Sequence, residues 1–254
     1  MALNHDTHWL RRYVNTTPPG LRMLCLPHAG GSATFYHRWG HAFGEDVEVM
    51  VARYPGRQER ILDEPLADMG ALADALTEEL LPLLDTPLVI FGHSMGASLG
   101  YEITLRLQER GAVPPVLLMV SGRKAPHLLT PRVVDLDDDE ALIAEVLMLG
   151  GTDSALLEDP GLRELVLPAI RADFGIVARY PARPGVQLRC PVVAYVGAED
   201  PVVDVESVRG WEQLAPAGFD LRVMEGGHFY LAERAAEVIS DVGHRLDARQ
   251  RQVR

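Results

Sequence analysis

Lysine is almost missing from this chain: of 24 Lys and Arg residues only Lys124 is lysine, against 36 Asp and Glu, for a formal charge of −12. That excess repels a polyanion at long range, which excludes a general role on nucleic acid and requires a local basic patch for any anionic partner. Cysteine is scarce as well. Only Cys25 and Cys190 occur, neither in a C-x-x-C pair and each inside or beside an apolar run, so packing thiols are expected rather than a disulfide. No apolar run approaches the roughly 18 to 20 residues needed to cross a bilayer; the segment Ala141 to Leu149 is interrupted by Glu145. Residues Met1 to His8 lack the basic start and apolar stretch of a secretion signal, so a soluble, cytoplasmic chain without membrane contact is expected. A monomer is expected separately, although sequence alone does not fix the oligomeric state. The nine histidines form no cluster with ligand spacing, so any chemistry is expected to be free of metal and of a resident cofactor.

What is present points to one α/β domain over residues 1–254, a length sufficient for one large core at 47% hydrophobic content. Short apolar runs, Arg22 to Pro27, Val47 to Tyr54, Pro87 to Phe91, Val116 to Ser121, Pro191 to Gly197 and Asp220 to Glu225, read as strands. Their continuous apolar character predicts a buried, mostly parallel sheet. Met69, Leu72, Leu76, Leu80 and Leu83, and then Leu99, Ile103 and Leu107, recur at three- and four-residue steps as helix faces packing on that sheet. Such a doubly wound sheet gathers active residues outside the carboxyl ends of its strands.

The alternation breaks between about residues 125 and 185. An acidic start (Asp135 to Glu140), an apolar helical segment (Leu142 to Leu149), a Gly150-Gly151 break and a second helical pattern (Leu162 to Ile176) fill the gap. A helical lid over the active edge is expected, against the plainer alternative of a long crossover. The tail after Leu246 is polar enough to fray.

Gly92-His93-Ser94-Met95-Gly96 stands between a strand-like run and a helical pattern, the context in which G-x-S-x-G marks a nucleophilic serine. Alone, the motif is short enough to arise by chance. A serine hydroxyl needs a base and a group that orients the base. In the order this architecture demands, Glu199-Asp200 follows the strand ending at Gly197, and Gly226-Gly227-His228 follows the last strand. His228 is the expected base and Asp200 its partner, with Glu199 and Asp204 as rivals for that role. His93 is read as packing or hydrogen bonding in the elbow itself. The glycine-rich loop Pro27 to Ser32 is expected to complete an oxyanion hole, its donors being the amides of Ala29 and Met95. Arg53, Arg57, Arg60, Arg123 and Lys124 follow strand-like segments and could form a basic rim.

Leu26-Pro-His-Ala-Gly-Gly-Ser32, Tyr54-Pro-Gly-Arg57, Gly92-His-Ser-Met-Gly96, Arg171-Ala-Asp-Phe174 and Gly226-Gly-His-Phe229 together resemble the type II thioesterases, the stand-alone editing hydrolases of polyketide and nonribosomal peptide synthesis. The resemblance implies an α/β-hydrolase fold with a helical lid and a triad of Ser94, Asp200 and His228. It also implies an acyl thioester substrate on the phosphopantetheine arm of an acyl or peptidyl carrier protein. His28, Gly30, His93 and Phe229, inside these motifs, are assigned to substrate contact. A general carboxylesterase or acyltransferase would use the same triad, and a non-catalytic binding protein on this fold would be marked by loss of one of its members.

Overall fold

Each of the six apolar runs becomes a strand, and the sheet gains a seventh. The computed structural model describes residues 6–14, 18–130, 135–150, 157, 159–181 and 184–253. The strands are β1 (Leu10–Tyr13), β2 (Leu21–Leu26), β3 (Val47–Ala52), β4 (Leu88–His93), β5 (Leu117–Ser121), β6 (Val192–Gly197) and β7 (Phe219–Met224), in the order β1-β3-β2-β4-β5-β6-β7. All neighbours are parallel except β1 and β3. Among the described residues the α-helices are α1 (Met69–Leu80), α2 (Met95–Glu109), α3 (Asp139–Leu149), α4 (Pro160–Arg179), α5 (Val205–Arg209), α6 (Tyr230–Glu233) and α7 (Ala235–Val253). None is long and apolar enough to cross a membrane.

Successive strand residues point to opposite faces, and helices cover both. Leu24, Ile90, Leu118 and Ala194 pack with Leu72 and Leu76 of α1 and Leu99 and Ile103 of α2. Met23, Val89, Leu117 and Val193 pack on the other side with Tyr36, Trp39 and, from α7, Val238, Val242 and Leu246. Cys25 belongs to the second cluster and Cys190 to the first, so the sheet separates two buried, free thiols. Burial raises both thiol pKa values, that of Cys190 to about 12.

Three local readings change. Strand β1 is too short and too basic to show an apolar pattern, yet it pairs antiparallel with β3, Leu10 opposite Ala52. Its Arg12 donates through Nε to the buried Glu48, 2.6 Å away, and Arg22 of β2 holds the other oxygen of the same carboxylate at 2.8 Å. Leu83 lies beyond α1 in a short 3-10 turn, because Pro82 has no N–H to continue the helix. The tail does not fray after Leu246: α7 runs to Val253, since Arg and Gln are good helix formers and Arg245 is held by Asp241 (2.8 Å) and Asp220 (2.6 Å).

The chain winds outward from β2 to β3, then returns to place β4 on the other side of β2. That reversal opens a crevice between the loops after β2 and β4, whose ends meet where Leu26 pairs with Gly92.

Over this edge, between β5 and β6, lie α3 and α4. Asp138 and Asp159 cap them by accepting from the amides of Glu140 and Ala141 and of Gly161 and Leu162, and Gly150 ends α3 in the left-handed conformation at φ 83°. Gly151 lies outside the described residues. Leu142, Ile143 and Val146 of α3 meet Leu167, Ile170 and Phe174 of α4 in a third cluster of their own. Asp139 pairs with Arg171, and Glu140 with Arg163 at 2.7 Å, so the acidic start of the segment is bound to α4.

Candidate active site

The turn at Gly92 to Gly96 brings backbone directly against backbone. A Cβ on Gly92 would lie 2.1 Å from the carbonyl oxygen of Gly96, and a Cβ on Gly96 would lie 2.1 Å from that of Leu26. Only hydrogen fits at either place. Ser94 sits between β4 and α2 at φ 54°, ψ −114°, a strained conformation for a residue with a side chain. Its amide donates to the carbonyl of Ser121 at 2.8 Å and its own carbonyl accepts from Ala97 at 3.0 Å, bonds that hold the strain in place.

The loops after β6 and β7 are laced together. Ala198 N donates to Met224 O (2.7 Å), Glu199 N to Gly226 O (3.0 Å), and Gly226 N to Glu199 Oε2 (2.6 Å). This lacing carries Asp200 and His228 to one point, with Oδ2 accepting from Nδ1 at 2.7 Å. Both side chains are buried. The second oxygen of Asp200 accepts from the amides of Val202 (2.9 Å) and Val203 (3.1 Å), which aims the first at the imidazole. With Nδ1 donating to the carboxylate, the lone pair of the ring falls on Nε2. The rival carboxylates are occupied elsewhere, Glu199 with Gly226 and Asp204 as the cap of α5.

Ser94 and His228 line one cavity of about 330 Å³, and Ala29 borders it as well. In the loop after β2, the amide of Gly30 donates to Asp173 Oδ2 (2.8 Å) and that of Gly31 to His28 O (2.9 Å). Neither bond uses the Ala29 amide. Met95 stands at the first position of α2, where an amide has no partner within its helix and carries the positive end of the dipole. Apolar walls come from Leu129, Leu149, Phe174, Val177, Val202 and Val203.

His28, Gly30, His93 and Phe229 are not on the cavity lining. His28 and Phe229 are buried edge to face, 4.6 Å between centroids. His93 is buried behind His228, with ring centroids 4.9 Å apart, and its Nδ1 lies 2.8 Å from Ser121 Oγ, itself 2.6 Å from the hydroxyl of Tyr230. Burial, and then the neighbouring His228 and His28, hold His93 well below the ordinary histidine value of 6.5.

The five basic residues divide. Arg53 reaches Thr7 O (2.9 Å) and Arg60 pairs with Asp63 (2.7 Å) while lying over the Trp9 ring. Arg57 is buried against Asp173. Only Arg123 and Lys124 line the cavity. The Arg57–Asp173 pair joins two of the recurrent motifs across 116 residues, a separation at which sequence alone shows neither partner the other.

Comparison with known proteins follows the same outline. A family model described as a thioesterase domain matches residues 22–246. The chain is 39% identical over 246 residues to the thioesterase PikA5 of Streptomyces venezuelae, covering 96% of this chain and 88% of that one. It is 39% identical to a probable cadicidin biosynthesis thioesterase of Streptomyces griseus, covering 94% of this chain but 66% of that protein's length, just under two thirds. Among solved structures, the type II thioesterase BorB from the borrelidin biosynthetic cluster superposes with a TM-score of 0.82 at 38% identity, covering 95% of this chain and all of that one. The fold is thus that of the α/β-hydrolase thioesterases.

Proposed function

The chain belongs to the thioesterase family, and from that premise we propose that it hydrolyses acyl thioesters carried on the phosphopantetheine arm of an acyl or peptidyl carrier protein, clearing stalled or misprimed acyl groups from a polyketide or nonribosomal peptide synthase. The observation that carries the reading is the shared cavity: Ser94 and His228 line it together, and the imidazole is oriented from behind by Asp200 at 2.7 Å.

In this mechanism Nε2 of His228 takes the hydroxyl proton as Ser94 Oγ bonds to the thioester carbon. The charge that develops on the carbonyl oxygen is met by the amides of Ala29 and Met95. Collapse of the tetrahedral intermediate breaks the C–S bond, and the departing sulfur receives the proton from His228. Water then loses a proton to the same nitrogen, attacks the acyl-serine, and releases the acid as Ser94 recovers its hydrogen. A thiolate leaves more readily than an alkoxide, so activation of Ser94 and support of the oxyanion are the main demands on the protein. No cofactor is required beyond the pantetheine brought by the substrate. Helices α3 and α4 act as the lid, and the apolar wall of the cavity takes the acyl chain.

Turnover of an acyl-carrier thioester by Ser94→Ala tests the reading: it should fall to background while the circular dichroism spectrum is unchanged, and retained turnover would reject it. Rates on an acyl-carrier protein, acyl-CoA and a matched simple ester decide the substrate class. Preference for the ester would favour a general carboxylesterase instead.

A further inference from the structure

Asp173 is a charged residue of the helix that walls the cavity, 2% exposed, and its side-chain hydrogen bonds run to Gly30 and Arg57. Its Oδ2 accepts from the amide of Gly30 at 2.8 Å and from Arg57 Nη1 at 2.6 Å, and its Oδ1 accepts from Arg57 Nη2 at 3.0 Å. The same Nη1 donates to the carbonyl of Gly31 at 2.9 Å. Carboxylate and fork thus grip two peptide groups of this loop, Ala29–Gly30 through its N–H and Gly31–Ser32 through its carbonyl. Ile170, one turn earlier on α4, reinforces the grip: a Cβ on Gly30, which stands at φ +77°, would meet its side chain at 3.2 Å. The next residues of α4, Phe174 and Val177, line the cavity. One helix therefore both walls the acyl site and holds the loop beside Ser94. A buried ion pair is a poor source of stability, because the desolvation of both ions offsets their attraction, so this one calls for another explanation.

We propose that the Arg57–Asp173 pair is a positioning device for the oxyanion hole, fastening the Ala29–Gly31 loop to α4 so that the Ala29 amide points at the reacting carbonyl only while that helix is seated. The proposal rests on Ser94 being the nucleophile. Neither residue touches substrate; both act through the backbone of the loop.

The test compares Asp173→Asn, Arg57→Gln and Arg57→Lys with the parent on a truncated substrate, the acetyl thioester of N-acetylcysteamine, and with an alkylboronic acid whose tetrahedral serine adduct mimics the oxyanion. The expected result is a kcat at least tenfold lower, approaching the roughly 10²-fold loss of a removed oxyanion donor, with KM within about threefold and boronate affinity weakened in parallel. Arg57→Lys, which keeps the charge but loses the fork, should fall between. A variant that melts earlier yet keeps kcat and boronate affinity below its melting point would overturn the proposal, as would a rise in KM alone. Should Arg57→Gln fail to fold, Asp173→Asn and Arg57→Lys, which keep shape or charge, decide by the same readouts. Ser94→Ala separates the two layers: boronate binding that survived it would reject the nucleophile itself, whatever Asp173 does.

Discussion

Gly96 stands so close to the end of β2 that a Cβ on it would come within 2.1 Å of the Leu26 carbonyl oxygen and 2.8 Å of that of Pro27. These are backbone atoms at the end of β2 and the start of the loop that follows it, and they cannot rotate away. Gly96→Ala should therefore push α2 off the sheet, costing about 3 kcal/mol or more in urea unfolding and removing turnover in whatever remains folded. An alanine variant of unchanged stability would show that the elbow is looser than its geometry implies.

Of Glu199, Asp200 and Asp204, it is Asp200 that is hydrogen-bonded to His228. Asp200→Asn keeps the shape and the bonds from Val202 and Val203 but reverses the preference for the tautomer with Nδ1–H, so kcat should drop roughly 10³- to 10⁴-fold with little change in the fold. Asp204→Ala should behave oppositely. It removes the cap of α5, costing about 1 kcal/mol of stability, while kcat stays within a few-fold of the parent. Steady-state kinetics beside denaturation curves separate the two outcomes.

His93 is held neutral inside the protein, its pKa depressed below 6.5 first by burial and then by the two neighbouring histidines. The unfolded chain binds a proton at this residue as pH falls below 6.5, and the folded chain does not. Its contribution to stability is thus present above that pH and lost below it. Between pH 7.5 and 5.5 the parent should lose more unfolding free energy than His93→Gln, whose amide does not titrate. Parallel slopes in urea titrations at the two pH values would refute this.

Val177 and Ala178 line the cavity from α4 and are only half buried, so a larger side chain there can be accommodated at the expense of the acyl site. Val177→Phe should shift preference toward short acyl groups, since each methylene denied burial forfeits about 0.8 kcal/mol. The ratio of octanoyl to acetyl hydrolysis should fall at least tenfold, and an unchanged ratio would place the chain elsewhere.

Arg53, Arg57 and Arg60 are engaged away from the cavity, whereas Lys124 lines it beside Arg123, whose Nε donates to Ser98 Oγ at 2.8 Å. Lys124→Glu should raise KM several-fold for a carrier-bound thioester and leave it unchanged for the truncated one. Added salt should weaken carrier association in the parent more than in the variant. Insensitivity to both would remove the electrostatic part of docking.

Much of this was legible in the chain. Five strands announced themselves as apolar runs because both faces of an inner parallel strand are covered; the sixth, β7, lies at the sheet edge, largely unburied, and its run is correspondingly mixed. Ser94, Asp200 and His228 were placed by where the runs end. Strand β1 was not legible: its four residues contain two arginines, and their partners, Glu48 and Glu59, lie in other segments. Periodicity identified α4 but could not say which of its polar residues faces inward. Asp173 reads in sequence like any helical aspartate, and its burial depends on a guanidinium that the fold brings from 116 residues away.

What the sequence determined by itself was local: strands, helices, the glycines of the elbow, and the family to which the combined motifs belong, all set by steric and hydrophobic rules acting over a few residues. The tertiary structure alone decided which carboxylate serves His228, which of the five basic residues remain at the cavity, and that His28, His93 and Phe229 pack around the site without lining it. Those outcomes depend on distances between segments remote in the chain, where burial ties each charge to the partners that the fold brings within reach.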